Sequence, residues 1–123
     1  MNHDTFVNIL FSRVERASVT RALVIVNALV FVLVAAVSMS PMQIPADLLI
    51  RVGGNFAPLI QKGEEWRFFT ALFLHGGLLH VGLNMFALHQ AGQVVERLFG
   101  RWGFAVIYIV AGLLGNLASL WWK

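Results

Sequence analysis

Three stretches of the chain are apolar enough and long enough to cross a bilayer. From Arg21 to Met39 it reads RALVIVNALVFVLVAAVSM, with no charge after the first residue. From Trp102 to Trp122, WGFAVIYIVAGLLGNLASLWW, it carries none. About 20 helical residues cross the ~30 Å hydrocarbon layer, and Trp102 and Trp121 stand roughly 28 Å apart on a helix, where interfacial aromatic belts sit. The third stretch, residues 78–97, is interrupted by His80, Asn84, His89, Gln90, Gln93 and Glu96. Polar side chains at that depth usually face a bundle interior or a watery cavity. The pattern predicts an all-α membrane protein with transmembrane helices at 21–39, 78–97 and 102–122. Residues 40–77 hold PMQIP, GGNFAP and QKGEEWRFF. Their breakers, set among Phe56, Leu59, Ile60, Phe68 and Phe69, predict a long folded loop dipping into the membrane interface.

Composition agrees with lipid as the solvent. Of 123 residues, 59% are hydrophobic and 12% charged, whereas soluble domains carry about 25% charged residues. With no cysteine, disulfides and thiolate metal sites are excluded. The net charge of +3 could suit nucleic acid, but the basic residues form no stripe with interleaved aromatics. A cleaved signal peptide is the other reading of the first stretch, whose apolar run is too long for one. Arg13, Arg16 and Arg21 precede the first span, and Arg97 and Arg101 separate the other two. Both sets therefore belong on the cytoplasmic side. Residues 1–20 form an inward N-terminal segment, in which Phe6, Leu10 and Val14 share one helical face. A helix on the inner leaflet and a frayed tail fit it equally well.

Within the polar span, His80 and Asn84 lie four residues apart and so share a face. A metal site is disfavoured: His75, His80 and His89 have the wrong spacing and no HExxH is present. The plain alternative is that His80 and Asn84 hydrogen-bond between helices. In the last span Ala111, Gly115 and Ser119 recur every four residues, a stripe suited to close helix packing, with Gly112 and Asn116 in the adjacent row. In an antiparallel pair of helices, Asn116 and Ser119 fall at about the depth of Asn84 and His80.

The run GGNFAPLIQKGEEWRFFTALFLHGGLLHVGLNMFALHQAGQVVERLFG, followed by FAVIYIVAGLLGN, resembles the first half of a rhomboid intramembrane serine protease domain. The matching pieces are Trp66-Arg67, FLHG from Phe73 to Gly76, HxxxN from His80 to Asn84, and GxxxE from Gly92 to Glu96 with Gly100 following. Their order over about 50 residues carries the resemblance, which extends over residues 20–122. It implies that residues 21–123 are a partial rhomboid domain. It also implies that His80 and Asn84 bind the oxyanion of the tetrahedral intermediate. Trp66 and Arg67 become scaffold of the embedded loop, and His75, Gly92 and Glu96 fold-supporting positions. No cofactor is implied. The implied partners are transmembrane protein substrates, membrane lipids and a C-terminal half of the domain.

The resemblance also exposes a gap. Rhomboids use a serine in a GxSG-type motif on a fourth helix and a histidine on a sixth. The serines here are Ser12, Ser18, Ser38, Ser40 and Ser119, and none stands in such a motif. Lys123 falls about where the approach to that fourth helix would begin. A makeshift Ser119–His80 pair lacks a nucleophile turn and an orienting carboxylate. Two expectations follow: a partial rhomboid protease, inactive alone, whose longer form cleaves transmembrane segments, or a non-catalytic rhomboid-like module binding transmembrane partners or lipid. A bacterial inner membrane is consistent with the short, signal-free start.

Overall fold

In lipid, a spanning segment must satisfy its own backbone, and a helix does so within one segment. The computed structural model describes residues 2–13 and 16–122. It contains helices α1 (His3–Arg13), α2 (Ser18–Ser38), α3 (Ala46–Arg51), α4 (Ala57–Ile60), α5 (Arg67–Thr70) and α6 (Leu78–Trp122), with a 3-10 turn at Ala71–Phe73. No strand occurs among the described residues.

Both α2 and α6 are long and apolar enough to cross a membrane. The 45 residues of α6 would extend about 67 Å as one rod, twice the hydrocarbon thickness. It breaks instead at Gly100, where φ is 80° and ψ 171°, a backbone region that glycine enters without a Cβ penalty. The arms 78–99 and 101–122 then fold back on each other. Gly92 on the first faces Phe104 on the second, and Asn116 reaches the Phe68 carbonyl just upstream of the first arm. α2 runs beside both. Its Thr20 meets Gly92 at one end, and its Phe31 packs with Ile44 and Val81 at the other. Between these ends Asn27, fully buried, donates to the Leu23 carbonyl (2.7 Å) and bonds the Tyr108 hydroxyl (3.2 Å).

At Gly92 the three segments meet. A Cβ there would lie 2.8 Å from Thr20 Cγ2 and 3.1 Å from the Phe104 ring. Thr20 cannot swing aside, because its hydroxyl is bonded to Glu96. Gly92→Val is therefore expected to destabilise the bundle by about 1–3 kcal/mol through overpacking. Gly82→Val, where a Cβ meets nothing within 4 Å, should leave the midpoint nearly unchanged. Thermal unfolding in detergent measures both.

At the N-terminus, Leu10 of the expected face is buried. Phe6 is exposed, and Val14 lies outside the described residues. The ring of Phe11, itself exposed, lies 4.0 Å from the guanidinium of the buried Arg97.

The connection between α2 and α6 is held from three sides. Ile44 N–H donates to the Gly76 carbonyl (2.8 Å) and Leu78 N–H to that of Pro41 (2.9 Å), joining its two ends. Arg67 is buried at its centre, with Nε on Glu64 (2.6 Å) and Nη1 on the carbonyls of Ile50 and Gly54. The exposed Trp66 ring lies 4.7 Å from that guanidinium. Asn55 donates to the Asn116 carbonyl (3.1 Å) while Asn116 donates to that of Phe68 (2.8 Å), which ties the loop to the second arm of α6. Leu33, Val37, Leu79, Leu83, Phe86 and Leu114 remain more than half exposed. This is a surface for lipid or for further apolar elements, not for water.

Candidate functional site

His80 and Asn84 lie in the first two turns of α6 and both are exposed. Asn84 Nδ2 donates back to the His80 carbonyl at 2.8 Å. That bond holds the side chain in place and leaves the second N–H of the amide for an acceptor beyond the helix. His80 Nδ1 accepts from the Gly76 N–H at 3.4 Å. The two residues therefore present polar groups from one helical face at the loop end of the bundle.

His75 stands beside them, buried, with its ring edge-on to that of His80 (centroids 5.3 Å apart, planes at 72°). Its Nδ1 is enclosed without a hydrogen-bond partner among the described residues. Burial first, and the neighbouring His80 second, hold its imidazole below the usual histidine range, while the Phe73 backbone acts the other way. A folded-state pKa lowered from 6.5 means that the unfolded chain binds the proton more tightly. The contribution of His75 to stability is thus complete above pH 6.5 and is lost as the pH falls through the folded value.

At the other end of the bundle, Glu96 is fully buried. Its Oε1 accepts from Val19 N–H, and its Oε2 from Thr20 N–H and Thr20 Oγ1, each at 2.8 Å. α2 follows Ala17, which offers no side-chain cap, and its first turn contains no acidic residue. The carboxylate thus supplies from α6 what the start of α2 lacks: acceptors for orphan N–H groups and a negative charge at the positive helix end. This also accounts for α2 beginning at Ser18, three residues before the expected boundary. The basic neighbours Arg97 and Arg101 are not what Glu96 binds in these contacts. Spacing gave no sign of this cap; an uncapped α2 start and a lone acid in an apolar helix were the available signals.

In the second arm of α6, the row facing the loop is Gly112 and Asn116, with Gly112 against Leu72. Ala111 is exposed, and a Cβ at Gly115 would meet nothing within 4 Å, so their expected packing is not made among the described residues. Ser119 lines an open groove of about 490 Å³ with Asn55, Asn116, Phe56 and Leu74. No hydrogen bond joins Ser119 to His80 among the described residues, and no three His, Asp or Glu side chains there form a metal cluster.

The described residues are thus helical, with two helices long and apolar enough to cross a membrane and a histidine–asparagine pair at the loop end of α6. Comparison with known proteins gives its family. The Rhomboid domain matches residues 62–123. Rhomboid-like protease 1 of Toxoplasma gondii is 32% identical over 115 residues, covering 93% of this chain and 39% of that protein. Rhomboid protease GluP of Bacillus subtilis (strain 168) is 40% identical over 73 residues, 59% of this chain and 14% of that protein. Inactive RHOMBOID-like protein 8 of Arabidopsis thaliana is 37% identical over 87 residues, 69% of this chain and 25% of that protein. The chain belongs to the rhomboid family. It spans about two fifths or less of the length of these relatives. No solved structure matches it.

Proposed function

We propose that these residues are the front part of a rhomboid-type intramembrane serine endopeptidase whose longer form cleaves transmembrane segments of membrane proteins. In this reading residues 21–123 form a partial rhomboid domain crossing the bilayer three times, and residues 1–20 lie on the cytoplasmic side. Arg16, Arg21, Arg97 and Arg101 flank that side, as the positive-inside rule requires. The matched relatives come from both bacteria and eukaryotes, so the proposal includes a multi-pass topology and no particular envelope.

One observation carries the reading: His80 and Asn84 share a face, and each is held by a backbone hydrogen bond. Peptide hydrolysis places negative charge on a carbonyl oxygen. Donors already fixed in a poorly solvated site stabilise that charge without reorganising. The sequence offers no serine in a GxSG-type motif, so the nucleophile and its base come from the rest of the domain. The second reading is a non-catalytic module that binds transmembrane partners or lipid. It is favoured by the similarity to a relative whose name includes "Inactive".

Labelling with a serine-directed fluorophosphonate probe tests the assignment. The lone chain is expected to remain unlabelled. Joined to the serine- and histidine-bearing half of a related rhomboid, it should label at the supplied serine. Labelling of the lone chain that disappears in Ser119→Ala would overturn the reading and move the chemistry to Ser119.

A further inference from the structure

His80 can serve as a donor only if its proton is on the correct nitrogen. A neutral imidazole has one N–H, and the nitrogen that accepts a hydrogen bond is the one without it. Here Nδ1 accepts from Gly76 N–H, so the proton belongs on Nε2, at the far edge of the ring. The opposite tautomer would turn the Nε2 lone pair toward any oxyanion on that side and replace attraction with repulsion.

The group making this choice is itself held in place. The Gly76 carbonyl accepts from Ile44 N–H (2.8 Å), and two residues on Leu78 N–H is tied to the Pro41 carbonyl (2.9 Å). The buried His75 ring stands edge-on against the His80 ring and restricts its rotation. Two loop carboxylates have other partners: Asp47 lies 4.0 Å from Arg51, and Glu64 2.6 Å from Arg67. Neither is the partner of the His80 ring.

We infer that His75 and the Gly76 amide are positioning groups for His80, selecting its Nε2–H tautomer and keeping that N–H on the ring edge away from Gly76. Its catalytic use rests on the oxyanion reading; the tautomer does not. The loop end then does more than link α5 to α6: it sets the hydrogen-bonding sense of the site.

Long-range 1H–15N correlation of the 15N-histidine-labelled chain in detergent at pH 8 reads the tautomer directly. His80 is expected to show a single pattern with Nε2 protonated and Nδ1 bare. Gly76→Ala should keep that pattern, because the N–H remains and a Cβ there has 4.0 Å to its nearest neighbour, His80 Nδ1. Gly76→Pro removes the N–H and should give a tautomer mixture. His75→Ala should do the same by freeing the ring, while His75→Phe should retain the pattern. Should Gly76→Pro fail to fold, the unaltered chain and the two His75 variants still decide. Failure here is separable from failure of the oxyanion reading, which is measured by cleavage in His80→Ala. A protonated Nδ1 in the unaltered chain, or a pattern indifferent to both Gly76→Pro and His75→Ala, would overturn the inference.

Discussion

With the serine- and histidine-bearing half of a related rhomboid attached, His80→Ala or Asn84→Ala is expected to cleave a transmembrane reporter up to ~10²–10³-fold more slowly than the unaltered sequence. Under the proposed oxyanion role, the loss should fall on kcat with KM little changed, since such donors act on charge that is present only in the transition state. Each side chain is aimed before any substrate arrives: His80 through Gly76, and Asn84 through the His80 carbonyl. Initial rates in proteoliposomes measure the effect. Ser119→Ala serves as the comparison and should cost little, since Ser119 only lines the loop groove.

Glu96→Ala is expected to produce the largest stability loss, about 3–5 kcal/mol, the scale for removing one partner of a buried charged contact. Three donors on α2 would lose their acceptor at a fully buried position. Each unsatisfied buried donor costs about 1–3 kcal/mol. Glu96→Gln keeps the shape but turns an NH2 toward N–H groups, so it should lose most of the same stability. Thermal unfolding in detergent gives the size of the effect. Hydrogen exchange at Val19 and Thr20 locates it, because those amides should exchange faster than the rest of α2. Glu65→Gln, at an exposed position, should change neither.

The long apolar elements were legible because lipid imposes a simple rule on them: about 20 uncharged residues and a closed set of backbone bonds. The face shared by His80 and Asn84 was legible for a similar reason, since a spacing of four fixes it. What each polar group bonds was not. Glu96 sits next to Arg97 in sequence, yet it bonds donors 76 and 77 positions away on α2. Only the packing of α2 on α6 brings them together. The choice between two small-residue rows was equally hidden. Ala111–Gly115–Ser119 and Gly112–Asn116 differ by about 100° around the helix, and periodicity does not say which row meets the loop. The contact between His75 and His80 depends on the loop turning back at Gly76, a tertiary feature without a spacing signal.

Cleavage of a transmembrane reporter in proteoliposomes by the joined protein tests most directly whether this chain supplies half of a protease site. Cleavage is expected from the joined protein, absent from either part alone, and abolished when the supplied serine is replaced by alanine. A joined protein that folds and takes the fluorophosphonate probe at the supplied serine, yet leaves the reporter intact, would contradict it.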